Sequence, residues 1–163
     1  MIIRMVIHLG LLAKRKAKKF LDEAIQKHQM GNLREAEHLY VESLSYDPNS
    51  EAAHLNYGDL LRQTNRPKAA MVEYNKAMVM NPEIPDPYEA IGRLQHSLNN
   101  YQEAEKFYKK ALEFNPGNVN TQMNLAQLYM DTARYSDMRD IYTNIINKVK
   151  DPRLRSKIEE RLK

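Results

Sequence analysis

The chain of 163 residues contains no cysteine. That excludes disulfides and thiolate metal sites, although it does not choose a redox compartment. Glycine is almost as scarce. Gly10, Gly31, Gly58, Gly92 and Gly117 are scattered, so no glycine-rich loop cradles a phosphate and no G-x-S-x-G turn presents a nucleophile. The five histidines, His8, His28, His38, His54 and His96, never stand four apart; no helix can set two imidazoles on one face toward a metal, and no HExxH motif occurs. The longest apolar stretch, MIIRMVIHLGLL at 1–12, is interrupted by Arg4 and His8 and falls short of the roughly 20 residues that a spanning helix needs. It also precedes its basic cluster, AKRKAKK, which is the reverse of a secretory signal. No Asn-x-Ser/Thr acceptor occurs. Acid pairs such as Glu159 and Glu160 read as solvated surface. The expectation is a non-enzymatic cytoplasmic protein without cofactor or metal.

What the chain does have is a period. Ala24, Gly58, Gly92 and Ala126 recur every 34 positions, as do Tyr40, Tyr74, Tyr108 and Tyr142; Ala36, Ala70 and Ala104 form a third series, and Pro48, Pro82 and Pro116 close three of the cycles. Within one cycle, Leu55, Gly58 and Leu61 and then Ala70, Met71, Tyr74, Ala77 and Met78 follow helical spacing. Pro67 suits a first helical turn, and Pro82 ends the second helix. Each cycle therefore predicts two helices of three to four turns, with small residues such as Gly58 and Ala70 facing one another to let the axes approach. The tyrosines, with Ser43, Ala77, Ala111 and Ile145, are expected on the face that meets the next cycle. Units of this kind cannot bury an apolar face alone and must stack.

These recurring positions resemble the tetratricopeptide repeat family over four cycles, 17–50, 51–84, 85–118 and 119–152. The resemblance implies an all-α, right-handed superhelical solenoid of four helix-turn-helix repeats, and a protein-protein interaction module. The fourth cycle departs most: Met138 stands where the others have alanine, which should hold its two helices apart. Beyond it, Leu154, Ile158 and Leu162 make one apolar stripe in 153–163, read as a capping helix.

Charge is segregated. Residues 1–20 hold six basic side chains and no acid, 148–163 hold seven basic and three acidic, and the intervening 127 residues carry a net −6. The repeats thus lack the basic stripe that nucleic-acid binding requires. For the N-terminal segment, 1–16, three readings stand: a helix packed on the first repeat, where it would shield Leu21 and Ile25; an amphipathic membrane-surface anchor with its basic cluster on acidic lipid, giving peripheral membrane association; or the remnant of a longer chain.

The family lines a concave groove with the first helix of each repeat. Carried onto this sequence, the partner-binding positions are Leu21, Ile25 and His28, then Asn56, Asp59, Arg62 and Gln63, then Glu89, Arg93 and His96, then Asn124 and Gln127. Such a surface suits an extended peptide or a helix, and the amides of Asn56 and Asn124 could clamp a peptide backbone. The family's clamp for a chaperone C-terminal carboxylate falls on Leu21, Ile25, Asn56, Asp86 and Ala90; only Asn56 fits, and Asp86 would repel the carboxylate. Starting the clamp one repeat later fails at Leu55 and Asp59. The alternative function is a regulatory or substrate-recruiting module of a larger enzyme or membrane-associated assembly. Self-association by end-to-end stacking is a further expectation.

Overall fold

Start and reversal signals recur along the chain and cut it into helix pairs. The computed structural model describes residues 2–162, with side chains from His8 onward. In chain order the helices are α1 (Ile2–Gln29), α2 (Leu33–Tyr46), α3 (Glu51–Gln63), α4 (Pro67–Met80), α5 (Pro85–Ser97), α6 (Tyr101–Phe114), α7 (Val119–Asp131), α8 (Tyr135–Lys148) and α9 (Pro152–Arg161). The described residues contain no strand. The side chains of Ser50, Asn118 and Asp151 accept hydrogen bonds from first-turn amides of α3, α7 and α9, satisfying donors that a helix start leaves unpaired. Pro67, Pro85 and Pro152 open α4, α5 and α9.

The reversal inside each repeat is a Schellman closure. Gly31, Asn65, Asn99 and Ala133 all have positive φ, from 57° to 80°. The following amide then reaches back to the carbonyl of Lys27, Leu61, Gln95 or Tyr129, at 2.7 to 2.9 Å, sealing the end of the first helix. Ala133 adopts this left-handed conformation with a Cβ, at a cost of about 1 kcal/mol. The turns between repeats have their own tie. His54 Nε2–H donates to the Pro48 carbonyl at 2.9 Å, and Gln122 Nε2 donates to the Pro116 carbonyl at 2.6 Å.

The chain forms two compact units, Met1–Pro82 and Glu83–Lys163. In the first, Ala24, Ala36, Tyr40 and Leu60 are buried together, with Leu21, Ile25, Leu39 and Tyr57 packed against them. Burial of His54 and Glu73 is sustained by pairing: His54 Nδ1 lies 2.6 Å from Glu73 Oε2, and Lys76 Nζ donates to the other carboxylate oxygen at 2.8 Å. In the second unit one cluster takes in Ala104, Tyr108, Leu125, Ala126, Leu128, Tyr129, Met138, Tyr142, Ile145 and Ile158. Met138 is buried in it, and α7 and α8 pack less closely along their length than the three preceding pairs, as a methionine among alanines would cause. Ile158 of α9 is fully buried there, with Leu154 and Leu162 beside it.

Three sequence expectations change. First, the space left by Gly58 and Gly92 is filled chiefly by the tyrosine of the same repeat. A Cβ on Gly58 would stand 2.5 Å from Tyr74 Cε1, and one on Gly92 would stand 2.7 Å from Tyr108 Cδ1. Second, Ser43 turns to its own repeat, where its hydroxyl donates to the Ala17 carbonyl at 2.8 Å; a small polar side chain at this position serves the pair it belongs to. Third, α1 runs unbroken through its 28 residues, about 42 Å at 1.5 Å per residue. A continuous helix cannot fold back over Leu21 and Ile25, and Leu9, Leu11 and Leu12 are exposed. The side chains of residues 1–7, part of the same expectation, lie outside the described residues.

Candidate functional site

In the first unit the candidate positions lie on α1 and α3. Leu21 and Ile25 are half-buried against the Ala24 cluster, so their apolar surface is partly covered by their own repeat and by Tyr57. His28 Nε2 donates to Gln63 Oε1 at 2.6 Å, and its Nδ1 lies 3.2 Å from the Tyr40 hydroxyl. That hydroxyl is buried, and burial, with the Asp59 carboxylate adding to it, pushes its pKa up to about 12. Asp59 Oδ1 accepts from the Tyr74 hydroxyl at 2.7 Å. Arg62 Nε stands 3.7 Å from the same oxygen, beyond hydrogen-bond reach. The Asn56 amide donates to the Ala52 carbonyl one turn back, at 2.8 Å.

In the second unit the positions lie on α5 and α7 and are bonded across the two helices. Glu89 accepts from the Thr121 hydroxyl, and from the Asn118 and Asn124 amides at 3.3 Å each. His96 Nε2 is 2.8 Å from Asp131 Oδ2, and Gln127 donates to Asp131 Oδ1 at 2.8 Å. The His96 ring meets Tyr101 and Tyr108 edge-on. Arg161 reaches the Gln127 oxygen at 3.4 Å and the Tyr142 hydroxyl at 3.1 Å. Arg93 is half-buried on α5.

The structure therefore brings His28 to Gln63, Asp59 to Arg62, and Glu89 to Asn124. The two asparagines differ from the expected pair of backbone clamps, because each donates within its own unit. Asp131 and Arg161 belong to the same surface, Thr121 is fully buried, and none of the three was among the sequence candidates. The 68-residue spacing from Gln63 to Asp131, equal to that from His28 to His96, is the signal that points to the first of them.

A second recurrence at the same spacing fixes each loop. Arg66 forms a bidentate pair with Glu37 at 2.6 and 2.8 Å, joined by the Tyr57 hydroxyl. Arg134 and the Tyr129 hydroxyl bond Glu105 at 2.6 and 2.8 Å, and the guanidinium lies over the Tyr129 ring, 4.2 Å from its centroid. The Arg66 hydrogen bond holds the Glu37 carboxyl below its ordinary 4.5, against the opposing effect of burial. For Glu105 burial acts upward but is outweighed by hydrogen bonds from Lys109, Tyr129 and Arg134, so its carboxyl is also lowered. A depressed carboxyl stabilises the fold above its unfolded value and ceases to do so as the pH falls through its folded value. Glu37→Gln is thus expected to cost on the order of 1 kcal/mol at neutral pH, and the difference from wild type should shrink as the pH drops below 4.5. Urea titrations across that range check it; a pH-independent difference would show that the charge plays no part.

Comparison with known proteins follows from this geometry. A family model described as Tetratricopeptide repeat matches residues 27–90 and 96–158, which is most of the chain. The chain belongs to the tetratricopeptide repeat (TPR) family. Among solved TPR structures, the first TPR of Spaghetti (RPAP3) bound to the HSP90 peptide SRMEEVD superposes with a TM-score of 0.68 at 22% identity, covering 74% of this chain and 95% of that one. MamA gives 0.67 at 19% identity over 81% and 72%, and the Arabidopsis OM64 TPR domain gives 0.68 at 17% over 73% and 98%. At these identities the likeness is one of fold. Two curated human relatives, Protein O-mannosyl-transferase TMTC3 and Protein O-mannosyl-transferase TMTC1, are 32% identical over 85 residues and 33% identical over 83. Those stretches cover 52% and 51% of this TPR chain, and only 9% of each relative's length.

Proposed function

We propose that this TPR array is a non-catalytic interaction module that holds an extended peptide or helix of a partner protein, chiefly on the α1–α3 face. The observation that carries the reading is a contrast between the two faces. On α5 and α7 the polar side chains are spent on one another through Glu89 and Asp131. On α1 and α3, Leu21 and Ile25 are half-buried with Tyr57; His28 bonds Gln63 across the two helices, while Asn56 donates to the Ala52 carbonyl of its own helix and Arg62 Nε stands 3.7 Å from Asp59. Apolar anchors beside a few polar groups are what a bound peptide requires. The RPAP3 repeats hold an HSP90 peptide, but a chaperone carboxylate is not the ligand proposed for this chain. Its clamp positions carry Leu21, Ile25, Asp86 and Ala90, with only Asn56 in place.

The remaining finer points belong to the same proposal. The protein works in the cytoplasm, with the net −6 of the repeats arguing against nucleic acid and a peripheral membrane contact confined to the N-terminal part of α1. The recruiting-module alternative is not favoured: the chain spans only 9% of each of the two human O-mannosyl-transferases. The test is affinity capture with identification of the partner, followed by direct titration. Asn56→Ala with Arg62→Glu should weaken binding about thirtyfold or more, a hot-spot loss of about 2 kcal/mol. Asn124→Ala with Gln127→Ala should leave it within about threefold. Equal recovery by both variants would place the partner on another surface.

A further inference from the structure

α4 is apolar on the side it shows to water. Its inner side is filled by Ala70, Tyr74 and Ala77, all buried. The opposite flank carries Ala69, Val72, Lys76 and Val79 at spacings of three, four and three, the seam pattern by which two helices interlock their side chains. All four are exposed, Val72 by 53% and Val79 by 78%. The other repeats provide the contrast. At the equivalent positions of α6, 34 residues on, stand Glu103, Lys106, Lys110 and Glu113, tied in two ion pairs, and α2 and α8 carry no apolar residue there. The outer flank of a second helix in this array is thus polar by default, whereas a helix apolar on both sides is a buried one. Beside the seam, Val72, Val79, Met80 and Asn49 border a hollow of about 520 Å³.

We infer that this flank of α4 is where two copies of the chain meet, α4 against α4 and antiparallel about a two-fold axis at the level of Tyr74. In that direction the stripe is complementary to itself. Ala69 falls opposite Val79 of the second copy, small against large, and Val72 falls opposite the methylene stem of Lys76. The Lys76 ammonium stays on its own helix, donating to Glu73 Oε1 at 2.8 Å, so this lysine enters the contact already paired. Asn75 falls beside the axis, within about 3 Å of its copy along the helices. Two carboxamides suit each other there, each giving an N–H and accepting on its oxygen. Lys68, at the end of the stripe, comes to lie about 18 Å from its copy along the axes, farther than salt lets two exposed charges act on one another. A parallel pair would instead set Lys76 on Lys76 and Lys68 on Lys68. Charge therefore selects the antiparallel second copy. Four seam residues make a contact below the usual size of a permanent interface, hence a weak, concentration-dependent dimer. The inference is independent of the peptide face on α1 and α3, and a lateral contact of this kind is distinct from end-to-end stacking.

Sedimentation velocity of the full chain over a concentration series tests it. A reversible shift from monomer to dimer is expected in wild type. Val72→Asp with Val79→Asp should weaken association about a hundredfold or more, because the two-fold gathers four carboxylates in an apolar seam. That variant should still melt as wild type does, since both side chains are exposed. The chain has no cysteine of its own, so single cysteines report direction. A short bis-maleimide should join two copies of Asn75→Cys and fail to join two of Lys68→Cys. A chain that stays monomeric throughout overturns the inference and leaves the stripe to a different protein. A dimer that survives Val72→Asp with Val79→Asp overturns it too, as does bridging of Lys68→Cys as readily as of Asn75→Cys.

Discussion

Tyr74→Ala is expected to lower the unfolding free energy by about 3–5 kcal/mol, or about 10 °C in melting temperature for a chain of this size. The ring is fully buried and fills the space over Gly58, where a Cβ would come within 2.5 Å of it. Its hydroxyl donates to Asp59 at 2.7 Å. Truncation therefore opens a cavity that the two helices of the repeat cannot close without moving, and it leaves Asp59 short of a donor. Tyr74→Phe keeps the ring and isolates the second effect, about 1 kcal/mol. The reciprocal change, Gly58→Ala, gains about 1 kcal/mol of helix propensity and loses about 1–3 kcal/mol to overpacking, so the net sign should be destabilising. Ala24 and Ala126 occupy the same repeat position. Thermal melts followed by circular dichroism measure all three variants; a Tyr74→Ala protein within about 1 kcal/mol of wild type would mean that the ring is not what holds α3 and α4 together.

Ile158→Asp should come next in size. Ile158 is fully buried against the cluster that contains Tyr142 and Ile145. An aspartate there either carries an unpaired charge into an apolar site or forces α9 away. Either route costs about 3 kcal/mol or more. The expected readout is loss of hydrogen-exchange protection in α9, with exposure of the outer face of α8. Glu159→Gln, on the exposed side of the same helix, should leave both unchanged. Retained protection in Ile158→Asp would show that α9 is held by Leu154 and Leu162 without its central residue.

Much of the fold was legible because apolar periodicity and punctuation agree. Pro67 opens α4, the tyrosine series is buried throughout, and the Met138 departure corresponds to the looser α7 and α8 pair. The reversal series was there too, but hidden by chemistry that does not share a residue type. Gly31, Asn65, Asn99 and Ala133 stand 34 apart with one backbone conformation, and only the first is a glycine. The candidate surface was legible by position and not by engagement. A list of side chains facing one way cannot say that Asn124 donates to Glu89, or that His28 donates to Gln63; those bonds depend on how far one repeat is rotated from the next within a unit. The direction of α1 was missed for a related reason. Apolar residues ahead of a helix resemble a cover for exposed leucines, and only the absence of any glycine or proline break between Leu11 and Gln29 argued that the helix continues.

The buried phenols have an outlet. Tyr40 bonds His28, Tyr74 bonds Asp59, and Tyr142 bonds Arg161, so each ring wedged between two helices is latched at its tip by a side chain with access to solvent. Anything that draws Asp59 or His28 toward itself unlatches an interior ring one bond away. By reciprocity, a change that loosens the ring alters how readily the outer side chain is captured.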